Sequence, residues 1–159
     1  MPPLVIENLD SLEDFVGREI AVTDWFEVTQ ERIRQFAEAT EDRQWIHLDS
    51  ERAQRESPYA ATIAHGFLTV SLLSHLSQQA LEIRSGVAMI VNYGLNRVRF
   101  TAPVPAGSNI RARFTLQSLR DVGKALESTF AVVMEVQNQP GQSRPKPCCV
   151  AEWVIRYYR

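Results

Sequence analysis

The chain has 159 residues, of which 45% are hydrophobic and 23% charged, and its formal net charge is −2. This length allows one substantial hydrophobic core, so we expect a single domain over residues 1–159. Positive and negative residues are mixed along the chain, which argues against nucleic acid and an anionic membrane as partners.

The N-terminus and the cysteines favour a cytoplasmic location. "MPPLVIENLDSLEDF" is acidic where a signal peptide is positive, and no segment has the apolar length of a membrane span. Cys148 and Cys149 are adjacent, and neighbouring strand residues point to opposite faces, so we expect two free thiols. No metal-ligand spacing is present, and we expect no metal and no cofactor.

The first half of the chain predicts one strand followed by short helices. "EIAVTDWFEV", residues 19–28, alternates and predicts a strand. Thr29 is a candidate N-cap for a helix that ends just before Asp42. Residues 49–55 predict a second short helix, capped by Asp49 or Ser50.

A third helix is predicted from Gly66 to about Leu81. Its apolar residues lie around most of the circumference, which is typical of a helix enclosed by other structure. The polar stripe of this helix consists of Ser71, Ser74 and Gln78.

The second half predicts an antiparallel meander of four strands, "GVAMIVNYGLNRVRF", "NIRARFTLQSL", "KALESTFAVVMEVQ" and "CCVAEWVIRYY". The second strand alternates apolar and polar residues, which indicates one buried face. "DVGK" predicts a hairpin turn and residues 137–147 a surface loop. We therefore expect an α+β fold in which a curved antiparallel sheet wraps around the apolar helix.

Two short stretches carry candidate chemistry. "TEDRQWIHLDS" places Asp42 and His47 five positions apart, either as a proton-handling pair or as an ordinary polar loop. In "ATIAHGFLTVSLLS" the apolar helix begins at Gly66. The free backbone N–H groups at a helix start can bind an oxyanion. The alternative is that Gly66 is a simple capping glycine.

These stretches resemble the MaoC-like dehydratases and R-specific enoyl-CoA hydratases. The hydratase motif of that family is matched by Phe36, Thr40, Asp42, Ile46, His47 and Ala53, and its second block by His65, Gly66 and Ser74. "VNYGLNRVRFTAPVPAG", residues 91–107, resembles the branch that includes the nodulation protein N proteins. The resemblance covers roughly residues 15–155.

The resemblance implies a hot-dog fold, a homodimer and a reaction. The fold is a long central helix wrapped by an antiparallel sheet. The reaction is reversible syn addition of water to a trans-2-enoyl thioester of CoA or acyl-carrier protein, which gives an (R)-3-hydroxyacyl thioester. Where the family pattern has glycine, asparagine and proline, this chain has Glu41, Gln44 and Trp45.

The resemblance also implies roles for individual residues. Asp42 and His47 would hold and deprotonate water, the Gly66 N–H would stabilise the thioester oxygen, and Ser74 would lie near this pair. The candidates for substrate binding are Trp45, His65, Phe67 and Asn92. For Ser74 the alternative is a hydroxyl bonded to a carbonyl one turn back, for His65 a structural role, and for Asn92 a solvated strand face.

Two other functions compete with the hydratase. A hot-dog acyl-CoA thioesterase would direct activated water at the thioester carbonyl. A non-catalytic acyl-thioester binding protein of the nodulation protein N type would need no dyad, whereas Asp42 and His47 are both present.

Overall fold

The computed structural model describes residues 2–137 and 143–159. Its elements in chain order are β1 (Leu4–Ile6), a 3₁₀-helix (Leu9–Phe15), β2 (Glu19–Val22), β3 (Phe26–Val28), α1 (Gln30–Thr40), α2 (Trp45–Leu48), α3 (Ser50–Glu56), α4 (Gly66–Ser71), α5 (Leu73–Ala80), β4 (Leu81–Ile83), β5 (Met89–Arg99), β6 (Ser108–Asp121), β7 (Ala125–Gln137) and β8 (Lys146–Tyr158). The predicted α+β fold is confirmed.

The main sheet is antiparallel and has the order β2, β6, β7, β8, β5, with β3 also pairing with β6. The single early strand predicted over residues 19–28 is divided, and its two parts pair with successive stretches of β6. The "DVGK" turn is confirmed, because Gly123 has φ +91° and its N–H donates to the Asp121 carboxylate. A separate parallel pair, β1 with β4, was not predicted.

The core lies between the helices and one face of this sheet. The predicted alternation of β6 is confirmed, because Ile110, Ala112, Phe114 and Leu116 are all buried. Helix α5 contributes buried leucines to the same core, Leu73 and Leu76. Burial of each such side chain contributes about 1.5 to 3 kcal/mol, so packing against this core stabilises the central helix.

The predicted helix over Gly66–Leu81 consists of two segments, α4 and α5, and ends at Ala80. Leu72 separates them, but its backbone stays in the right-handed helical region. Its N–H donates to Leu68 O, and its carbonyl accepts from Leu76 N–H at 2.9 Å. Hydrogen bonding therefore continues through the junction.

The cysteines lie at the start of β8. Both are free and buried, as the sequence predicts. Burial raises the pKa of the Cys148 thiol to about 12 and that of Cys149 to about 11. Because the thiolate is the nucleophilic form, neither cysteine is a candidate for covalent catalysis.

Two predictions concern segments outside this core. The predicted loop over residues 137–147 lies largely outside the described residues, which omit 138–142. Among the helices of the described ranges, none combines the length and the apolar character that crossing a bilayer requires.

Candidate active site

Asp42 lies two residues beyond the end of helix α1. As predicted, Thr29 caps this helix, because its hydroxyl accepts the Arg32 N–H at 3.1 Å. The helix ends at Thr40, and Glu41 follows with φ +62° and ψ 12°, the left-handed conformation. This reversal is common after a helix and is usually supplied by glycine.

Replacing Glu41 with glycine is expected to raise the free energy of unfolding by about 0.5 to 1 kcal/mol. A side chain in the left-handed region costs about 1 to 2 kcal/mol, part of which glycine loses again through its more flexible unfolded chain. Urea unfolding of Glu41→Gly and Glu41→Ala measures the effect. Both variants lose the exposed ion pair to Arg43. Equal stability of the two would therefore show that the left-handed backbone at residue 41 is not strained by a side chain.

Helix α2 carries His47 and was not predicted. The His47 ring is buried, and its Nδ1 lies 2.7 Å from the Ile63 carbonyl oxygen. Because a carbonyl only accepts, Nδ1 carries the proton and Nε2 keeps a free lone pair. Burial lowers the pKa of His47, with a smaller lowering from His65 opposed by the Ile63 carbonyl and Asp42. At neutral pH His47 is therefore an uncharged proton acceptor.

His65 contacts both members of the predicted dyad. Its ring stacks on that of His47 with centroids 3.7 Å apart and an interplanar angle of 24°. Its Nε2 donates to the backbone carbonyl of Asp42 at 2.9 Å and lies 4.0 Å from the carboxylate oxygen Oδ2. The structure thus brings Asp42, His47 and His65 into one cluster.

The Asp42 carboxylate faces outward from this cluster. Its side chain is 51% exposed, so Trp45 and Phe67 do not enclose it. Trp45 instead packs under the Arg52 guanidinium at 4.2 Å, and Phe67 is 74% exposed. The carboxylate is open to water and to a substrate arriving from outside.

Gly66 begins α4 directly after His65. A methyl group at this position would lie 2.7 Å from two carbons of the Phe100 ring, so the ring packs where a side chain would otherwise be. Gly66 and Phe100 both line a cavity of about 280 Å³ together with Tyr59, Ala64 and Thr69. A ligand that reaches the Gly66 backbone through this cavity therefore passes beside the Phe100 ring.

Ser74 and Asn92 lie elsewhere, on the wall of a larger cavity of about 580 Å³. The Asn92 amide donates to Ser74 Oγ at 3.0 Å, so the serine hydroxyl contacts a side chain of β5 and not the carbonyl one turn back. Ser74 lies eight positions beyond Gly66, which corresponds to about 12 Å of helical rise. The other walls are mainly apolar and include Phe114, Phe130, Trp153, Ile155 and Tyr157.

The sequence singled out none of these apolar wall residues as functional. Phe114, Phe130 and Trp153 are all buried. They alternate along three different strands in the same way as ordinary core residues. Whether such a residue lines a cavity or a filled core depends on how distant segments pack over the sheet, which the alternation does not specify.

Asp42, His47 and His65 also offer three potential metal ligands within 4.8 Å of one another. However, the Nδ1 of His47 is bonded to Ile63 O and the Nε2 of His65 to Asp42 O. The two rings face each other at 24°, so their in-plane lone pairs do not converge as tetrahedral zinc coordination requires. The donor arrangement fits proton transfer better than metal binding.

Comparison with known proteins adds independent findings. The family model described as "MaoC like domain" matches residues 12–138. The 3-hydroxyacyl-thioester dehydratase Z of Mycobacterium tuberculosis (strain ATCC 25618 / H37Rv) is 43% identical over 152 residues, 95% of this chain and 96% of that protein. Nodulation protein N of Rhizobium leguminosarum bv. viciae is 41% identical over 148 residues, 92% of this chain and 89% of that protein.

Solved structures resemble this one in fold. The (R)-hydratase from A. caviae involved in PHA biosynthesis has a TM-score of 0.70 and 22% sequence identity, over 89% of this chain and 96% of that chain. The predicted hot-dog fold is confirmed by this likeness and by the family match.

Proposed function

Because this chain belongs to the MaoC-like dehydratase family, we propose that it adds water reversibly to trans-2-enoyl thioesters and forms (R)-3-hydroxyacyl thioesters. The observation that carries the proposal is the cluster in which Asp42 and His47 both contact His65. The carrier is CoA or acyl-carrier protein, since both present the same reacting atoms. Hydration changes no oxidation state, so the proposed reaction needs no redox cofactor.

The proposed chemistry follows from the resting protonation states. The Asp42 carboxylate and the Nε2 of neutral His47 are both acceptors, so one water molecule between them donates both of its hydrogens. Its oxygen lone pair is then directed at C3 of the enoyl thioester. One dyad member takes a proton as the C3–O bond forms, and a proton returns to C2 on the same face.

Negative charge develops on the thioester oxygen during this step. We assign its stabilisation to the backbone N–H of Gly66, in the first turn of α4, where N–H groups lack partners within the helix. One such donor lowers the barrier by about 3 to 4 kcal/mol in well-studied hydrolases. The Phe100 ring packs against the Gly66 backbone, and both Phe67 and Phe100 are exposed and so available to contact the bound thioester.

The 580 Å³ cavity is the proposed place for the distal acyl chain. Its aliphatic and aromatic walls suit a hydrocarbon, and its polar groups, which include Ser74, Ser77 and Asn92, are few. In this proposal Ser74 and Asn92 contact the acyl chain and not the reacting carbons. Trp45 lies in the dyad loop, residues 42–47, and contacts the substrate there.

The proposed enzyme is a homodimer that uses β5. This strand forms an edge of the main sheet, and it exposes apolar side chains that a second copy would cover, Met89, Ile90, Tyr93 and Leu95. An exposed apolar edge strand is a ready pairing surface.

We expect light scattering at micromolar concentration to give about twice the chain mass of 18.1 kDa. Leu95→Lys should shift the protein toward monomer, because it places a charge in the apolar surface of β5. Val122→Lys is the matched control, since Val122 is an exposed apolar residue at the β6–β7 turn. A stable wild-type monomer would contradict the dimer.

The test of function is the loss of enoyl ultraviolet absorbance when purified protein meets crotonyl-CoA or a longer trans-2-enoyl-CoA. Absorbance loss without release of free thiol supports hydration. Thiol release would indicate a thioesterase. If neither the CoA substrates nor the corresponding acyl-carrier-protein thioesters lost absorbance or released thiol, the hydratase would be refuted and a binding protein favoured.

A further inference from the structure

His65 contains an unusual buried atom. The side chain is only 2% exposed, and its Nδ1 is the buried side-chain polar atom that lacks a hydrogen-bond partner within residues 2–137 and 143–159. Buried polar groups are ordinarily paired, so an unpaired one calls for an explanation. An apolar ring would fill the same space between Phe36 and His47 without leaving an unpaired nitrogen.

The other ring nitrogen of His65 has a defined partner. Since the Asp42 carbonyl can only accept, the contact of 2.9 Å fixes the proton of His65 on Nε2. This bond holds the backbone at Asp42, at the point where the chain leaves the left-handed turn at Glu41. The stacked face of the same ring fixes one side of the His47 imidazole.

The backbone of His65 has a second attachment. Its carbonyl accepts the Thr69 N–H at 3.1 Å and the Thr69 hydroxyl at 3.4 Å, and this pair of bonds closes the first turn of α4. Thr69 is itself buried. One residue therefore ties the dyad loop to the start of the central helix, two segments separated by more than twenty positions in the sequence.

We propose that His65 is a positioning residue that sets the separation between the Asp42–His47 pair and Gly66 through its hydrogen bond to the Asp42 carbonyl. The inference rests on the proposed function, since it assigns to His65 the alignment of groups used in hydration. His65 touches neither the water nor the reacting carbons in this proposal. The prediction that His65 binds substrate stays a prediction, and the proposed positioning role requires no contact with the substrate.

Two variants separate the hydrogen bond from the packing. His65→Phe keeps an aromatic ring against His47 and Phe36 but removes the donor to Asp42. His65→Gln removes the ring but places an amide N–H near the position of Nε2. His75→Phe is the control, because His75 lies on the exposed side of α5 and packs against Phe26.

Misplacement of reacting groups by about 1 Å can lower a rate by about 100-fold. We therefore expect His65→Phe to lower kcat of enoyl-CoA hydration by about 10- to 100-fold, with KM changed by less than about threefold. His65→Gln should recover most of the lost kcat, and His75→Phe should match wild type. Melting temperatures and hydrogen exchange of residues 42–48 accompany the kinetics, with faster exchange expected in the Phe variant alone.

Several results would overturn the inference. A folded Phe variant with wild-type kcat would show that His65 only fills space. Equal impairment of the Phe and Gln variants would show that the hydrogen bond is not what matters. A wild-type protein that hydrates no enoyl thioester would instead refute the proposed function, and unchanged exchange of residues 42–48 in the Phe variant would then refute the positioning role separately.

Discussion

Asp42→Asn is expected to lower kcat/KM for enoyl-thioester hydration by about 10²- to 10⁴-fold, the range over which a general acid–base group contributes. The amide occupies the space of the carboxylate but cannot take a proton from water. Because the side chain is half exposed, the change should leave the fold intact. The bond from His65 to this position uses the backbone carbonyl, which the substitution retains.

Asp49→Asn is the matched control for this experiment. Asp49 caps α3 by accepting the Arg52 N–H at 2.9 Å, and asparagine caps helices about as well as aspartate. The control should therefore keep both activity and melting temperature. If Asp42→Asn retained activity within about threefold of wild type, the proposed mechanism would be wrong.

His47→Gln should have an effect of similar size, about 10²- to 10⁴-fold on kcat, and should also change the pH dependence of stability. In the folded protein burial lowers the pKa of His47 below the ordinary value of 6.5. Between that value and the lowered one, the unfolded chain binds a proton that the folded chain does not. The free energy of unfolding therefore falls as the pH drops below about 6.5 and is largest above it.

Urea unfolding at a series of pH values from 5.5 to 7.5 measures this loss. Wild type should lose stability toward low pH more steeply than His47→Gln, in which the titrating group is absent. His75→Gln, a change at an exposed histidine, should follow wild type. Parallel curves for wild type and His47→Gln would show that folding does not lower the pKa of His47. The hydration rate of wild type should persist below pH 6.5 for the same reason.

Local features of the fold were predictable from the sequence because they depend on neighbouring residues. The Thr29 cap, the end of α1 before Asp42 and the glycine turn at residues 121–124 each need only a short stretch of chain. The buried face of β6 followed from strict alternation. The family motif added the hot-dog fold, which no local pattern specifies.

Features that depend on distant contacts were not predictable. The pairing of β1 with β4 joins segments far apart in sequence, and the division of the early strand follows from how β2 and β3 meet β6. The motif grouped Ser74 with His65 and Gly66, whereas the serine bonds to Asn92 on the cavity wall. The stacking of His65 on His47 could not be predicted from the positions of the two residues in the sequence.

The state of Cys148 and Cys149 has a practical consequence for the assay of thiol release. Both sulfur atoms are buried in the sheet and remain protonated at the mildly alkaline pH at which thiol reagents are used. A folded sample therefore adds little background of its own, and colour that develops on addition of substrate comes from CoA set free by the reaction. When substrate is omitted, the same reagent reports the fraction of molecules that have opened far enough to expose β8.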